Sequence, residues 1–544
     1  MSETFSKALP LGSADFPVMR GFADEIYVDK TDLIYRLARL RAKIFLARPR
    51  RFGKSLLVST FESLFRHGLR DFQGLAMESL WKEERTYRVL RLDFSLVKDF
   101  SSVEGFLECL NAHLKECSGV AGVEMDDSIR DPIDRFSAFL SKQPPVSLVL
   151  LIDEYDAPLT THLLDVELIS GVQNKLSRFY ASIKRWESRL RFFFFTGITK
   201  LSHTSIFSEL NNVMDISLNP EFGRLLGYTE DEIRTYFGEY VEKAGQTLGL
   251  SFEEVMRRMT ERYDGYCFDS LAKSRLFAPW SVLNFLTWPL NGFRNYWYES
   301  GGRPSLLVDF AKANRISGPA TYGTPFSVSY DTLVNAADLR TPEDINPVVM
   351  LMQCGYLTIK DVRGDGREVV LGYPNQEVAE SMAQLYADLL LPNGRRRLQD
   401  EEPPISLTLR EGTVDDVVRY LNLAFNSMDY LRFPATNESM CRALVQALLI
   451  GGAMLPVAEV HSSHGRSDLE VDAGHRRWIF EFKFAQKEKE SRGLLEKALE
   501  QIQRGHYGEG PHGKELHRVG LVFSRDKRRF TVWKDLKEES SSAP

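Results

Sequence analysis

The residues best suited to chemistry fall into two groups, one in each half of the chain. In the first, Arg50-Arg51-Phe52-Gly53-Lys54-Ser55 follows the apolar run Ile44–Ala47 and precedes a helical pattern from Leu56 to Phe65. Strand, loop ending Gly-Lys-Ser, helix is the setting in which backbone N–H groups and the positive end of a helix dipole hold phosphate oxygens. There Lys54 reaches the β- and γ-phosphates of a nucleotide, and the Ser55 hydroxyl ligates Mg²⁺. Arg48 occupies the position of the first glycine of G-x-x-x-x-G-K-S. A basic helix entry that packs, or binds another anion, is therefore the alternative. Val146–Glu154 is a near-continuous apolar run ending in Asp153-Glu154. It reads as a buried parallel strand with carboxylates at its C-terminal edge, where open α/β sheets bind ligands. Asp153 is expected to hold Mg²⁺, and Glu154 to orient or deprotonate the attacking water; Asp156 could share the role of Glu154. Thr196 ends another apolar strand, Arg189–Phe195, where it would meet the γ-phosphate.

The second group is Asp468 with Glu481-Phe482-Lys483. Three strands are expected, Leu455–Val460, Asp468–Val471 and Trp478–Phe484. Period-two alternation puts Glu481 and Lys483 on one face and Phe482 and Phe484 on the other. Asp468 and Glu481 can ligate Mg²⁺ and position water for attack on a phosphodiester. Lys483 can orient that water or stabilise developing negative charge. The alternative is alternating charge on a solvated strand. His461 and His464 have loose metal-ligand spacing but no cysteine pair beside them, so the histidines of this region read as solvated or nucleic-acid-facing. Arg525, Lys527, Arg528 and Arg529 fall in a turn between two strands, where they either meet phosphates or remain solvated.

The elements around these residues alternate strand and helix, with Val89–Phe94 as a further strand, which predicts a parallel α/β sheet. A length of 544 residues calls for three or four domains. The expected division is a nucleotide-binding core over residues 1–225, a helical lid over 226–300, a winged-helix-like module over 301–395 and a C-terminal α/β domain over 405–537. The lid starts at the capping pattern Thr229–Glu232. The module contains a hairpin, Gly355–Lys360 and Glu368–Tyr373, around Arg363–Gly366. Residues 393–404 read as a linker, and the tail after Lys537 as disordered. Hydrophobic residues make up 43% and charged residues 26%, as in soluble proteins. No apolar run nears the roughly 20 residues that cross a bilayer. Five scattered cysteines suggest a reducing compartment, so the expected location is the cytoplasm, with no membrane partner. A net charge of −6 confines any nucleic-acid contact to local patches.

Tyr27-Val28-Asp29-Lys30-Thr31, Arg48 to Ser55, Ile152 to Pro158, Thr196 to Lys200, Ser205 to Asn212 and Tyr263 to Tyr266 occur in this order. In this the chain resembles the prokaryotic AAA-ATPase-like proteins fused to a PD-(D/E)XK nuclease-like domain. The order helix with Glu438, Gly465-Arg466-Ser467-Asp468, Glu481-Phe482-Lys483, helix resembles that nuclease core. The resemblance implies a P-loop NTPase parallel-sheet core, ATP as the nucleotide and Mg²⁺ at both sites. Arg50, Arg51, Phe52, Gly53, Lys54, Ser55, Asp153 and Thr196 would then bind the nucleotide. Glu154, Asp468, Glu481 and Lys483 would be catalytic, and Gln501 and Tyr507 would line the second site. The expected protein is an ATPase that gates a Mg²⁺-dependent nuclease acting on nucleic acid, with DNA as the expected partner. The alternative is a nucleotide-dependent switch whose C-terminal domain binds nucleic acid or a protein without cutting. A homo-oligomer is compatible with either.

Overall fold

The computed structural model describes residues 7–536, apart from 22–23, 201–208, 211, 299–304, 314–315, 317–321, 335–344, 391–402, 429–433, 453, 455, 462–464 and 509–512. Most of the expected linker, the C-terminal tail, His464 and Ser205–Ser208 with Asn211 lie outside the described residues. Two units are formed, Met1–Ile316 with Thr324–Val378 and Ser317–Gly323 with Ala379–Pro544.

The first unit is built on a five-stranded sheet of β1 (Lys43–Ala47), β2 (Arg88–Asp93), β3 (Leu148–Asp153), β4 (Leu190–Gly197) and β5 (Val213–Asp215), in the order β2-β3-β4-β1-β5. Every neighbouring pair is parallel. β3 and β4 are buried along their whole length, as expected of unbroken apolar strands covered on both faces. Alternation divides the four phenylalanines of β4. Phe192 and Phe194 meet Phe61 of helix α1 (Lys54–His67) at centroid distances of 4.9 and 5.0 Å. Phe193 and Phe195 point the other way, and Phe195 packs on Tyr155 and Tyr180. Because all strands run one way, Ala47, Asp93, Asp153 and Gly197 end at one edge, and α1 begins there.

Beyond β5, helices α2 (Glu230–Leu248), α3 (Phe252–Tyr263) and α4 (Pro279–Thr287) share a core that includes Phe237, Val241, Met259, Tyr263 and Phe285. The capping box at the start of α2 is present: Thr229 Oγ1 accepts the Glu232 N–H, and Glu232 accepts the Thr229 N–H. A three-stranded antiparallel sheet follows, β6 (Phe326–Ser329), β7 (Thr358–Arg363) and β8 (Glu368–Gly372), in the order β6-β8-β7. The β7–β8 hairpin turns where the sequence places it, with Gly364, Asp365 and Gly366 all at positive φ.

The second unit holds β9 (Val457–His461), β10 (Arg466–Ala473), β11 (Arg476–Ala485), β12 (Glu515–Ser524) and β13 (Arg529–Asp535), in the order β13-β12-β11-β10-β9. Only β11 and β12 are parallel. A parallel pair needs a crossover, and helix α7 (Ser491–Arg504) provides it. It lies so close that a Cβ on Gly520 would meet Leu495, Leu499 and Ala498 at 3.2–3.3 Å. Trp478, Phe480 and Phe482 turn instead towards the core shared with α5 (Val414–Ser427) and α6 (Glu438–Gly451). Among the described residues, no helix is long and apolar enough to cross a membrane.

Candidate active sites

The loop between β1 and α1 is shaped by side chains that pack against neighbouring segments. Arg48 is buried, and its guanidinium donates to the carbonyls of Ala47, Ser217 and Phe222 and stacks on Phe268 at 4.3 Å. Burial lowers its pKa to about 9, opposed by Asp215. The arginine at the first-glycine position is thus an anchor between the end of β1 and the loop after β5. Phe52, expected at the nucleotide, is also buried, edge-on to Tyr266 and Phe268. Arg51 lies over Trp280 at 4.2 Å, and Arg50 is half-buried. Gly53 takes φ +89° at the N-cap of α1, a conformation that suits glycine. Lys54 follows, buried, with Nζ donating to the carbonyls of Arg48 at 3.0 Å and Pro49 at 3.1 Å.

The acids lie on the neighbouring strand end. The Ser55 hydroxyl lies beside Asp153, whose Oδ1 accepts the Glu154 N–H at 3.0 Å. Burial raises the Asp153 carboxyl, opposed by Ser55 and Lys54. Glu154 sits at φ +48° as β3 ends, a left-handed backbone in a non-glycine residue. Burial raises its carboxyl too, with Lys54 pulling it down. Lys54 therefore feels Asp153, Glu154 and Asp156 together, against a desolvation that lowers its own pKa. This juxtaposition brings together a cation, a hydroxyl and two carboxylates at the C-terminal edge of the sheet.

One expectation needs correction. Thr196 is fully buried and its hydroxyl donates to the Leu46 carbonyl at 2.7 Å, so it pins β4 to β1 and does not reach a phosphate. Asp156 is held differently from Glu154: its carboxylate accepts the N–H groups of Ile198 and Thr199 and the Thr199 hydroxyl. It ties the turn after β3 to the loop after β4. The fit is tight enough that a Cβ on Gly197 would come within 2.4 Å of Asp156 Oδ1. An apolar cavity beside Gly53, lined by Tyr27, Val28, Leu57, Leu225, Leu226 and Tyr228, was not foreseen. Its walls come from distant segments: Tyr27, Val28, Lys30, Phe52 and Gly53 lie in motifs, whereas Leu225, Leu226 and Tyr228 do not.

In the second unit, the β10–β11 ladder ends at Leu469–Phe480. Where the strands part, Asp468 Oδ2 takes the Phe482 N–H that the ladder leaves free, at 2.8 Å. Glu481 and Lys483 share the next positions on one face of β11, and α6 begins at this fork with Glu438. Carboxylate oxygens of Glu438, Asp468 and Glu481 lie within 4.8 Å of one another. Lys483 Nζ donates to Glu481 Oε1 at 2.8 Å, to the Phe482 carbonyl at 3.1 Å and to Glu438 Oε1 at 3.4 Å. Burial, and then Asp468, push the Glu481 carboxyl up to about 7. Burial alone would lower Lys483, but Glu481, Glu438 and Asp468 outweigh it and raise its pKa.

Glu481 Oε2 is buried with no hydrogen-bond partner. An orphaned carboxylate oxygen in a set of hard oxygen donors fits Mg²⁺ or Mn²⁺. The sequence used Glu438 only to mark a helix; its place in the cluster depends on where α6 begins relative to β11. Tyr507 donates to the Arg466 carbonyl at 2.6 Å, and Gln501 Nε2 is 3.4 Å from the Tyr507 hydroxyl. Both support the strand that carries Asp468. His517, grouped with the solvated histidines, is instead buried, stacked on Trp478 at 4.1 Å and bonded to Asp535. The turn with Arg525, Lys527, Arg528 and Arg529 is exposed.

Comparisons with known proteins agree with this division. Residues 10–207 match the family model described as a predicted AAA-ATPase, and residues 436–533 match that of the PD-(D/E)XK nuclease superfamily. A protein of Azotobacter chroococcum mcd 1, described as an uncharacterized protein in the vnfD 5′ region, is 29% identical over 96% of this chain and 97% of its own length. Residues 10–207 are thus an AAA-ATPase-like region, and residues 436–533 a domain of the PD-(D/E)XK nuclease superfamily.

Proposed function

We propose that the chain binds and hydrolyses ATP, and that its nucleotide state gates metal-dependent cleavage of nucleic acid by the C-terminal domain. The observation that carries this reading is that each unit sets a lysine among carboxylates where strands end or part. In the first unit, Lys54 leaves the Arg48 and Pro49 carbonyls for the β- and γ-phosphates. Ser55 and Asp153 would hold Mg²⁺, and Glu154 would orient water against the γ-phosphate. The apolar cavity beside Gly53 takes the base.

In the second unit, Glu438, Asp468 and Glu481 would hold Mg²⁺ or Mn²⁺. When bound, the metal supplies Lewis-acid polarisation of the phosphate and acidifies water. Lys483 orients the attacking water and offsets charge on the phosphate as a P–O ester bond breaks and the leaving oxygen gains a proton. Asp468 keeps its geometry through the Phe482 N–H, and Tyr507 holds the strand before it.

The test is cleavage of DNA and RNA by the full chain in Mg²⁺ or Mn²⁺. The wild type should cut, and Asp468→Asn and Lys483→Ala should not. Absence of cleavage with every substrate, metal and nucleotide would leave a nucleotide-dependent switch that binds without cutting.

A further inference from the structure

Arg442 stands four residues after Glu438 on α6, so the two side chains leave one face of the helix. Its Nη1 is 3.9 Å from Asp468 Oδ1, within ion-pair range but too far for a hydrogen bond. The side chains of Arg442 and Asp468 are 17% and 14% exposed, whereas Glu438 is 42% exposed. Arg442 thus belongs to the more buried part of the cluster, beside Asp468.

The charge balance shows what it can do there. With all three carboxylates ionised, Lys483 and Arg442 leave the cluster with one net negative charge. A divalent cation on those carboxylates turns that into one positive charge, and like charges then face each other across the Asp468 carboxylate. A phosphodiester carries one negative charge and restores neutrality. The planar guanidinium fork matches two phosphate oxygens, which an ammonium cannot do.

We propose that Arg442 is the phosphate-binding residue of the carboxylate cluster: it pairs with Asp468 when no metal is bound, and with a nucleic-acid phosphate when a divalent cation is present. This rests on the nuclease reading of that site and adds the residue that couples metal occupancy to substrate affinity.

The experiment compares full-length wild type, Arg442→Met and Arg442→Lys. Ca²⁺ affinity is measured by titration calorimetry. Affinity for a labelled DNA duplex and an RNA strand is measured in Ca²⁺ over a salt series, and thermal unfolding reports on the fold. Arg442→Met should weaken nucleic-acid binding in Ca²⁺ on the order of tenfold. It should also lower the salt slope by about one phosphate contact. Its Ca²⁺ affinity should rise, because a competing cation is gone. Arg442→Lys should restore the salt slope and only part of the affinity. If Arg442→Met weakens Ca²⁺ binding and leaves nucleic-acid affinity and salt slope unchanged, Arg442 merely positions Asp468 and the proposal fails. If the wild type shows no Ca²⁺ binding and no Ca²⁺-dependent affinity for either nucleic acid, the nuclease reading itself fails, and this proposal with it.

Discussion

Replacing Glu481 by glutamine should make the metal-free C-terminal domain more stable while destroying its metal response. Burial, with Asp468 beside it, pushes the Glu481 carboxyl up to about 7, against an ordinary value of 4.5. The folded state therefore holds this proton more tightly than the unfolded chain does. The resulting penalty is absent below the unfolded value, grows as pH rises towards about 7 and is complete above that. At 1.36 kcal/mol per pKa unit, it amounts to about 3 kcal/mol. Glutamine is nearly isosteric and stays neutral. Without metal at about pH 8, Glu481→Gln should stabilise the C-terminal transition by up to about 3 kcal/mol, and the difference should shrink to within about 1 kcal/mol near pH 5.

Mg²⁺ at about a hundred times its Kd should stabilise the wild type by about 2.7 kcal/mol and the variant far less. Differential scanning calorimetry at the two pH values, with and without Mg²⁺, reads both effects. Because a chain of two units need not unfold in one step, the transition to follow is the one that Mg²⁺ moves in the wild type. A variant no more stable than wild type at high pH, or one with the same response to Mg²⁺, would refute the reasoning that Glu481 is a buried carboxylate held ready for a cation.

Three further outcomes follow from the first unit. Lys54→Ala should weaken ATP binding by about 2 kcal/mol or more, because it removes a desolvated charge-assisted contact; equal affinity in a nucleotide titration would remove the loop from the site. Glu154→Gln should keep ATP and lose turnover, whereas Asp156→Asn should lower the melting temperature, since Asp156 ties two loops together; the reverse pattern would exchange their roles. Gly197→Ala should cost about 1–3 kcal/mol by overpacking against Asp156 and Tyr155, and unchanged thermal stability would show that the contact relaxes freely.

Local patterns announced most of the scaffold. Unbroken apolar runs gave β3 and β4, the Thr229–Glu232 spacing gave the capped start of α2, and Arg363–Gly366 gave the hairpin turn. Charge and glycine placement likewise singled out Lys54, Asp153 and Glu481, because few residues suit those positions. What escaped was decided by partners far away in sequence. Arg48 is only a departure from the glycine pattern until the carbonyls of Ser217 and Phe222 show its guanidinium to be a buried anchor. Thr196 looks like a sensor until β1 takes its hydroxyl. His517 looks solvated until Trp478 covers its ring. Glu438 joins the carboxylates only because α6 starts at the fork between β10 and β11.

The central claim, that nucleotide state governs a metal-dependent nuclease, is tested most directly by one cleavage assay on the full chain in Mg²⁺. Wild type, Lys54→Ala and Glu154→Gln are each assayed without nucleotide, with ADP and with ATP. The wild-type rate should differ between ATP and ADP, Lys54→Ala should give one rate under all conditions, and Glu154→Gln should hold the ATP-state rate. Cleavage at the same rate in every nucleotide state and every variant would contradict the coupling and leave two independent activities on one chain.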